Sequence, residues 1–221
     1  MAVKIKICGV TDPANARTVV ELGADSLGLN FYRASPRFVS VERAREIAAA
    51  VEGRVPLVGV FVNHPIAEVE EIAERVGLDL LQFSGDESPE IVGLHAARAI
   101  KVFRTGGAPG PEILAAYGDL WGVLLDAPHG SLYGGTGTAW DYGAIAPGPL
   151  FGGSRGGSRG RSRLFLAGGI GPDNARRAVS TVRPFAIDVC SRVESAPGIK
   201  DPELVLRLME EARNGEIRTP S

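Results

Sequence analysis

A single rhythm runs through this chain. Short apolar runs alternate with amphipathic stretches almost from end to end. The runs are Val3–Cys8, Ser26–Phe31, Leu57–Val62, Leu78–Phe83, Ala99–Phe103, Gly122–Asp126, Leu164–Ala167 and Phe185–Val189. Most are apolar throughout instead of alternating, the pattern of parallel strands covered on both faces. Between them lie helix-period segments such as Val41–Val51, Ile66–Val76 and Asp201–Arg213. Asp12-Pro13, Ser88-Pro89 and Asp201-Pro202 each put an N-cap residue before a proline suited to the first helical turn. Eight strand–helix units at so short a repeat predict an α/β fold, a single (β/α)8 TIM barrel, over an open doubly wound sheet. No G-x-G-x-x-G follows the first strand, which weakens a dinucleotide-binding reading.

The length of 221 residues fits one barrel domain spanning 1–221, and the 44% hydrophobic content is enough to fill its core. A net charge of -2 gives no reason to expect nucleic acid or an anionic membrane as partner. The opening Met-Ala-Val-Lys-Ile-Lys-Ile-Cys-Gly lacks a long apolar run, so a secretory leader is not expected. Nor does any apolar stretch approach the length of a membrane span. Cys8 and Cys190 are too few for a disulfide framework and lack zinc-ligand spacing, and His64, His95 and His129 form no metal pattern. The expectation is a cytoplasmic protein with free thiols and no metal. One segment, at about 147–163, breaks the rhythm with Gly, Ser, Pro and Arg. Such a composition cannot bury apolar surface. It is expected to be a poorly ordered insertion between helix six and strand seven, on the barrel's bottom face. Its arginines have no interleaved aromatics on which bases would stack.

Barrel enzymes build their sites at the carboxyl ends of the strands, so a residue's place within its strand carries information. Cys8 closes strand one and reads equally as a buried small hydrophobe or as a reactive thiol. Asp126 ends strand six and, alone, reads first as a helix cap or turn residue. Together they form an acid/base pair across one mouth. Gly168 and Gly169 follow strand seven, where bare backbone can approach a phosphate and the next helix points its positive end. Asp188, Cys190 and Ser191 follow strand eight, the other half of the usual barrel phosphate site. Arg37, beside the rigid Pro36, suits a planar carboxylate or else a surface salt bridge. Gln82 ends strand four and offers a polar contact. Trp140 and Tyr142 read as packing for a short sixth helix.

These residues resemble the phosphoribosylanthranilate isomerase family. The likeness runs in order through Lys6-Ile7-Cys8-Gly9-Val10-Thr11, Ser35-Pro36-Arg37, Gln82 with Gly85-Asp86-Glu87, and Gly134-Gly135-Thr136-Gly137 with Trp140-Asp141. It continues through Leu166-Ala167-Gly168-Gly169 with Pro172 and Asn174, Asp188-Val189, Ser191, Val193-Glu194, Pro197-Gly198 and Lys200-Asp201. The resemblance implies a cofactor-free, metal-free Amadori rearrangement of N-(5-phosphoribosyl)anthranilate in tryptophan biosynthesis, by a monomer or homodimer. It puts the general base on Cys8, the general acid on Asp126, the anthranilate-carboxylate contact on Arg37, and the phosphate on Gly168, Gly169, Cys190 and Ser191. Acid catalysis at neutral pH then asks that partial burial raise the Asp126 pKa, and base catalysis that a nearby cation or helix dipole favour the Cys8 thiolate.

Three departures from the family pattern stand out. Cys190-Ser191-Arg192 replaces the usual Ser-Ser-Gly, so Arg192 adds a phosphate contact or strains a turn that prefers glycine. Phe83-Ser84 replaces Leu-His, and the 147–163 segment is unusual. A non-catalytic phosphosugar-binding barrel, and an isomerase that also accepts the histidine-pathway aminoaldose, stay open as alternatives. A metal-dependent epimerase would need His and acidic ligands on several strand ends, which the chain lacks.

Overall fold

The computed structural model describes residues 2–104, 109–126, 142 and 162–215. In chain order they form β1 (Lys4–Cys8), α1 (Pro13–Glu21), β2 (Ser26–Asn30), α2 (Val41–Val51), β3 (Leu57–Phe61), α3 (Ile66–Val76), β4 (Leu80–Phe83) and α4 (Pro89–Gly93). After these come β5 (Ala99–Arg104), α5 (Pro111–Tyr117), β6 (Gly122–Asp126), β7 (Arg163–Leu166), α6 (Ala175–Val182), β8 (Ala186–Val189), β9 (Glu194–Ala196), β10 (Ile199–Lys200) and α7 (Pro202–Asn214). Strands β1 to β8 are joined in sequence into a closed parallel barrel, with β8 returning to β1 through Lys6↔Asp188 and Ile7↔Val189. This is the expected fold, and each expected strand recurs within two residues of its place.

Period-two alternation sorts every strand into two rows. Ile5, Ile7, Leu27, Leu29, Phe61, Leu81, Phe83, Val123, Leu125, Leu164, Leu166, Ile187 and Val189 belong to the large core between barrel and helices. Val58, Leu80, Ile100, Val102, Leu124, Phe165, Ala167 and Ala186 form a second, smaller cluster inside the ring. Continued to the carboxyl ends, that inward row delivers Cys8, Asn30, Gln82, Arg104, Asp126 and Asp188 to the barrel mouth.

The helix starts follow the sequence in two of the three expected places. Asp12 accepts from Asn15 N at 2.8 Å, and Asp201 accepts from Glu203 N at 2.9 Å and Leu204 N at 3.2 Å. Each such cap is worth about 1 kcal/mol. Ser88 precedes α4 without a side-chain cap bond, and that helix is only five residues long. Leu78 lies outside β4 because it belongs to the stop of α3. Gly77 takes φ 77°, and both Gly77 N and Leu78 N bond to Ala73 O at 2.9 Å.

The expected Gly/Ser/Arg insertion lies outside the described residues, except for Ser162 and for Arg163, which opens β7. His129, Gly134–Gly137, Trp140 and Asp141 also lie outside them. Tyr142 is buried in the helix–barrel core, as its packing role required. Among the described residues no helix is long and apolar enough to cross a membrane.

Candidate active site

A cavity of about 360 Å³ opens at the carboxyl ends of the barrel strands. All nine expected residues line it: Cys8, Arg37, Gln82, Asp126, Gly168, Gly169, Asp188, Cys190 and Ser191. The structure adds Asn30, Arg104 and Arg192 to the same wall.

The base side of the cavity is built where β1 meets β8. Lys6 sits two residues before Cys8 on the same face, has no exposed side-chain surface, and donates to Asp188 Oδ1 at 2.8 Å. Burial alone would lower its pKa; Asp188 and the Cys8 sulfur outweigh burial and keep the ammonium charged. One step further on, Cys8 and Cys190 share a hydrogen bond. That bond and burial push the Cys8 thiol well above the ordinary range, against the pull of Lys6. Cys190 moves the other way, down to about 7, because it accepts from Cys8 and has Lys200 and Arg37 nearby, which together overcome burial. The expectation that a neighbouring cation would ease Cys8 into its thiolate form is therefore corrected. The cation is present, but the negative charge falls first on Cys190.

A small hairpin, β9 with β10, sets the next layer. Lys200 Nζ is buried 2.6 Å from Glu194 Oε1, 3.2 Å from Cys190 O and 3.8 Å from Cys190 Sγ. Glu194 also receives Arg37 through Nε at 2.9 Å and Nη2 at 2.7 Å. Burial would raise the Glu194 pKa, but Arg37 and Lys200 hold it below the usual carboxylate value. Arg37 thus enters the cavity with its Nε–Nη2 edge fixed by Glu194, and the Nη1 edge is what remains to meet a ligand. Gly9 has φ 72°, and a Cβ there would stand 2.6 Å from Arg37 Cδ and 3.2 Å from Cys190 Sγ. Glycine is required for both reasons.

Across the mouth, Asp126 is 16% exposed, with Arg104 Nε 4.0 Å from its Oδ2. Arg104 Nη1 also donates to Ser84 O at 2.6 Å, and Gln82 Nε2 to Ser84 Oγ at 3.1 Å. Gln82 Oε1 is buried against the cavity and accepts no hydrogen bond among the described residues, so it presents an acceptor to whatever binds there.

Gly168 (φ 87°) and Gly169 (φ 66°) form the rim after β7. Asn174 ties the loop down, accepting from Gly171 N at 2.9 Å and donating to Gly169 O at 2.9 Å, immediately before α6. The loop therefore lies at a helix N-terminus, a natural anion seat. Arg192 lies against Gly171, and its Nη2 stands 2.5 Å from Asp173 Oδ1. It sits in a 3-10 turn (Ser191–Val193) outside the left-handed region, so the expected backbone strain is absent.

His64 accepts from Val62 N and packs edge-on against Phe61, which shapes the loop after β3. No metal-binding cluster of His, Cys, Asp and Glu occurs among the described residues. Sequence reasoning missed Lys6, Arg104 and Lys200. Arg104 was within reach of a parity argument, since it stands two steps from the inward Val102, whereas Lys6 shares its parity with Lys4. Lys200 depends on a hairpin that left no pattern.

Comparison with known proteins places this geometry in context. Residues 5–211 match the family model described as N-(5'phosphoribosyl)anthranilate (PRA) isomerase. The chain is 43% identical to the N-(5'-phosphoribosyl)anthranilate isomerase of Halorhodospira halophila over 98% of its own length and 99% of the relative's. It superposes on the crystal structure of phosphoribosyl anthranilate isomerase from Thermotoga maritima with a TM-score of 0.80 at 35% identity, covering 95% of this chain and 98% of that one. A solved complex of such an isomerase with reduced 1-(o-carboxyphenylamino)-1-deoxyribulose 5-phosphate gives a TM-score of 0.77 at 33% identity, again over 95% and 98% of the two chains.

Proposed function

This chain belongs to the N-(5'-phosphoribosyl)anthranilate isomerase family, and from that premise we propose how its own residues carry the reaction. It is an isomerase of tryptophan biosynthesis that converts N-(5-phosphoribosyl)anthranilate into 1-(o-carboxyphenylamino)-1-deoxyribulose 5-phosphate.

Asp126 acts as general acid, giving its proton to the ribose ring oxygen as the C1–O bond breaks and a Schiff base forms. Arg104 stabilises the carboxylate that this leaves behind. Cys8 acts as general base and takes the proton from C2 of the Schiff base; the resulting enolamine tautomerises to the ketose. For that step Cys8 must first be ionised. It hands its S–H proton to the Cys190 thiolate, and Lys6 is then the counter-charge beside the Cys8 sulfur. The glycine loop of Gly168 and Gly169, with Ser191 and Cys190 opposite, holds the phosphate end, and Arg37 meets the anthranilate carboxylate through Nη1. Gln82 Oε1 accepts from a sugar hydroxyl. Holding one sugar between acid and base removes several kcal/mol of barrier by positioning alone.

The observation that carries this reading is that Cys8 and Asp126, on strands from different quarters of the ring, line one cavity with an anion seat on its rim. Every group comes from one barrel domain, so a monomer and a homodimer serve equally, and two free thiols at the site suit the reducing cytoplasm. The test is turnover of phosphoribosylanthranilate made in situ, followed as loss of anthranilate fluorescence. Well-folded protein that leaves the signal unchanged would end the enzyme reading.

A further inference from the structure

Cys190 is more than a lining residue, because of where the barrel closure puts it. Strands β1 and β8 pair in register at Lys6↔Asp188 and Ile7↔Val189. The first of these pairs faces inward, where Lys6 and Asp188 meet at 2.8 Å, and the second faces the helices. Alternation therefore turns the next pair, Cys8 and Cys190, inward again. Adjacent strands run about 4.7–4.9 Å apart, inside the roughly 4.4–6.8 Å Cα separation that a disulfide spans. Cys190 Sγ would lie 3.2 Å from a Cβ placed on Gly9, the residue directly after Cys8. Both thiols line the open cavity, and they are the only two cysteines of the chain.

We propose that Cys8 and Cys190 are a redox modification site, joined by hydroperoxides into a reversible disulfide that switches the isomerase off. The effect on turnover rests on Cys8 being the base; the covalent chemistry does not.

Cys190 is the attacking sulfur. With Lys200 Nζ at 3.8 Å it is the thiolate of the pair near neutral pH, and a thiolate is the form that reacts with peroxide. Its electron pair forms an S–O bond as the peroxide O–O bond breaks, and the departing hydroxide takes a solvent proton to become water. The Cys8 sulfur then attacks the Cys190 sulfenic acid. The S–S bond forms, the S–O bond breaks, and the Cys8 proton leaves with the hydroxyl as a second water. In sum, two thiols and one hydrogen peroxide give one disulfide and two waters. Cys8 then has no lone thiolate to offer substrate, and a dithiol reductant restores it.

The test is to treat the purified full chain with hydrogen peroxide near neutral pH, alkylate remaining thiols, and weigh the intact protein. The expected product is a monomer lighter by two hydrogen atoms with no alkylation, whose non-reduced digest links the Cys8 and Cys190 peptides. Activity should fall by about a hundredfold or more, the share a general base supplies, and return with dithiothreitol. In Cys190→Ser, which lacks the attacking sulfur, the same peroxide treatment should form no link and leave Cys8 alkylatable, with the variant's activity scored against its own untreated value. Wild-type protein that keeps both thiols alkylatable, gains oxygen without losing hydrogen, or crosslinks only between chains would overturn the proposal. Loss of activity is scored separately, so a formed disulfide in an enzyme that still turns over would instead count against Cys8 as the base.

Discussion

Arg104 and Asp126 are direct partners in the register of β5 and β6, and their side chains meet at 4.0 Å over the cavity. In the proposed mechanism the cation stabilises the charge Asp126 acquires once its proton is spent. Replacing Arg104 with Gln should therefore lower kcat, because the carboxylate left after proton transfer loses its counter-charge. Arg104→Lys should restore most of the loss. An unchanged kcat in Arg104→Gln would mean that the two charges do not communicate.

Cys8→Ala and Asp126→Asn should each cut kcat by about 10²–10⁴-fold, the range for a positioned acid or base, while product affinity stays within a small factor. Steady-state kinetics with a separate binding titration checks both halves. Normal turnover in either variant would remove that residue from its role.

In the proposed mechanism the sulfur pair sets the acid limb of the rate profile. Cys190 loses its proton at about 7, and below that value both thiols are protonated, leaving no sulfur base. The rate constant kcat/KM should rise with pH through this point and level off above it. A profile flat across the neutral region would show that a different group limits the reaction.

Lys6 is a structural charge as well as a chemical one. Its ammonium is sealed from solvent against Asp188, which is itself 9% exposed. Lys6→Met would leave Asp188 buried without its partner, at a cost of about 3–5 kcal/mol. Urea unfolding of the variant should show a midpoint well below wild type, with an unchanged slope.

Arg192 stands on the cavity rim with its guanidinium 2.5 Å from Asp173. If it turns to the substrate phosphate, Arg192→Ala should raise KM by about tenfold or more, as for loss of a charged hydrogen bond, and leave kcat nearly unchanged. An unaltered KM would confine Arg192 to its contact with Asp173.

The barrel and most of its mouth could be read from residues alone because both rest on local pattern. Apolar runs of strand length mark β1 to β8, and the inward residues at the carboxyl ends of barrel strands face the mouth, which is how Cys8, Gln82 and Asp126 could be placed there. What escaped depended on distant parts of the chain. Lys6 looked like one of two interchangeable lysines in Val3–Cys8 until closure set it against Asp188, while Lys4 went to the rim with Asp25. The swap of charge between Cys8 and Cys190 could not be read either, since it needs Lys200 and Arg37 brought in from separate loops.

The bond from Lys6 to Asp188 joins residues 182 apart in sequence, and Cys8 finds Cys190 across the same seam. Contacts of such span are the slow and late ones to form, since a long loop must close before they repay its entropy. Catalytic competence is therefore a property of the finished ring. During refolding, helical signal should return well before isomerase activity, and the interval between them would time the moment at which the first strand locks against the last.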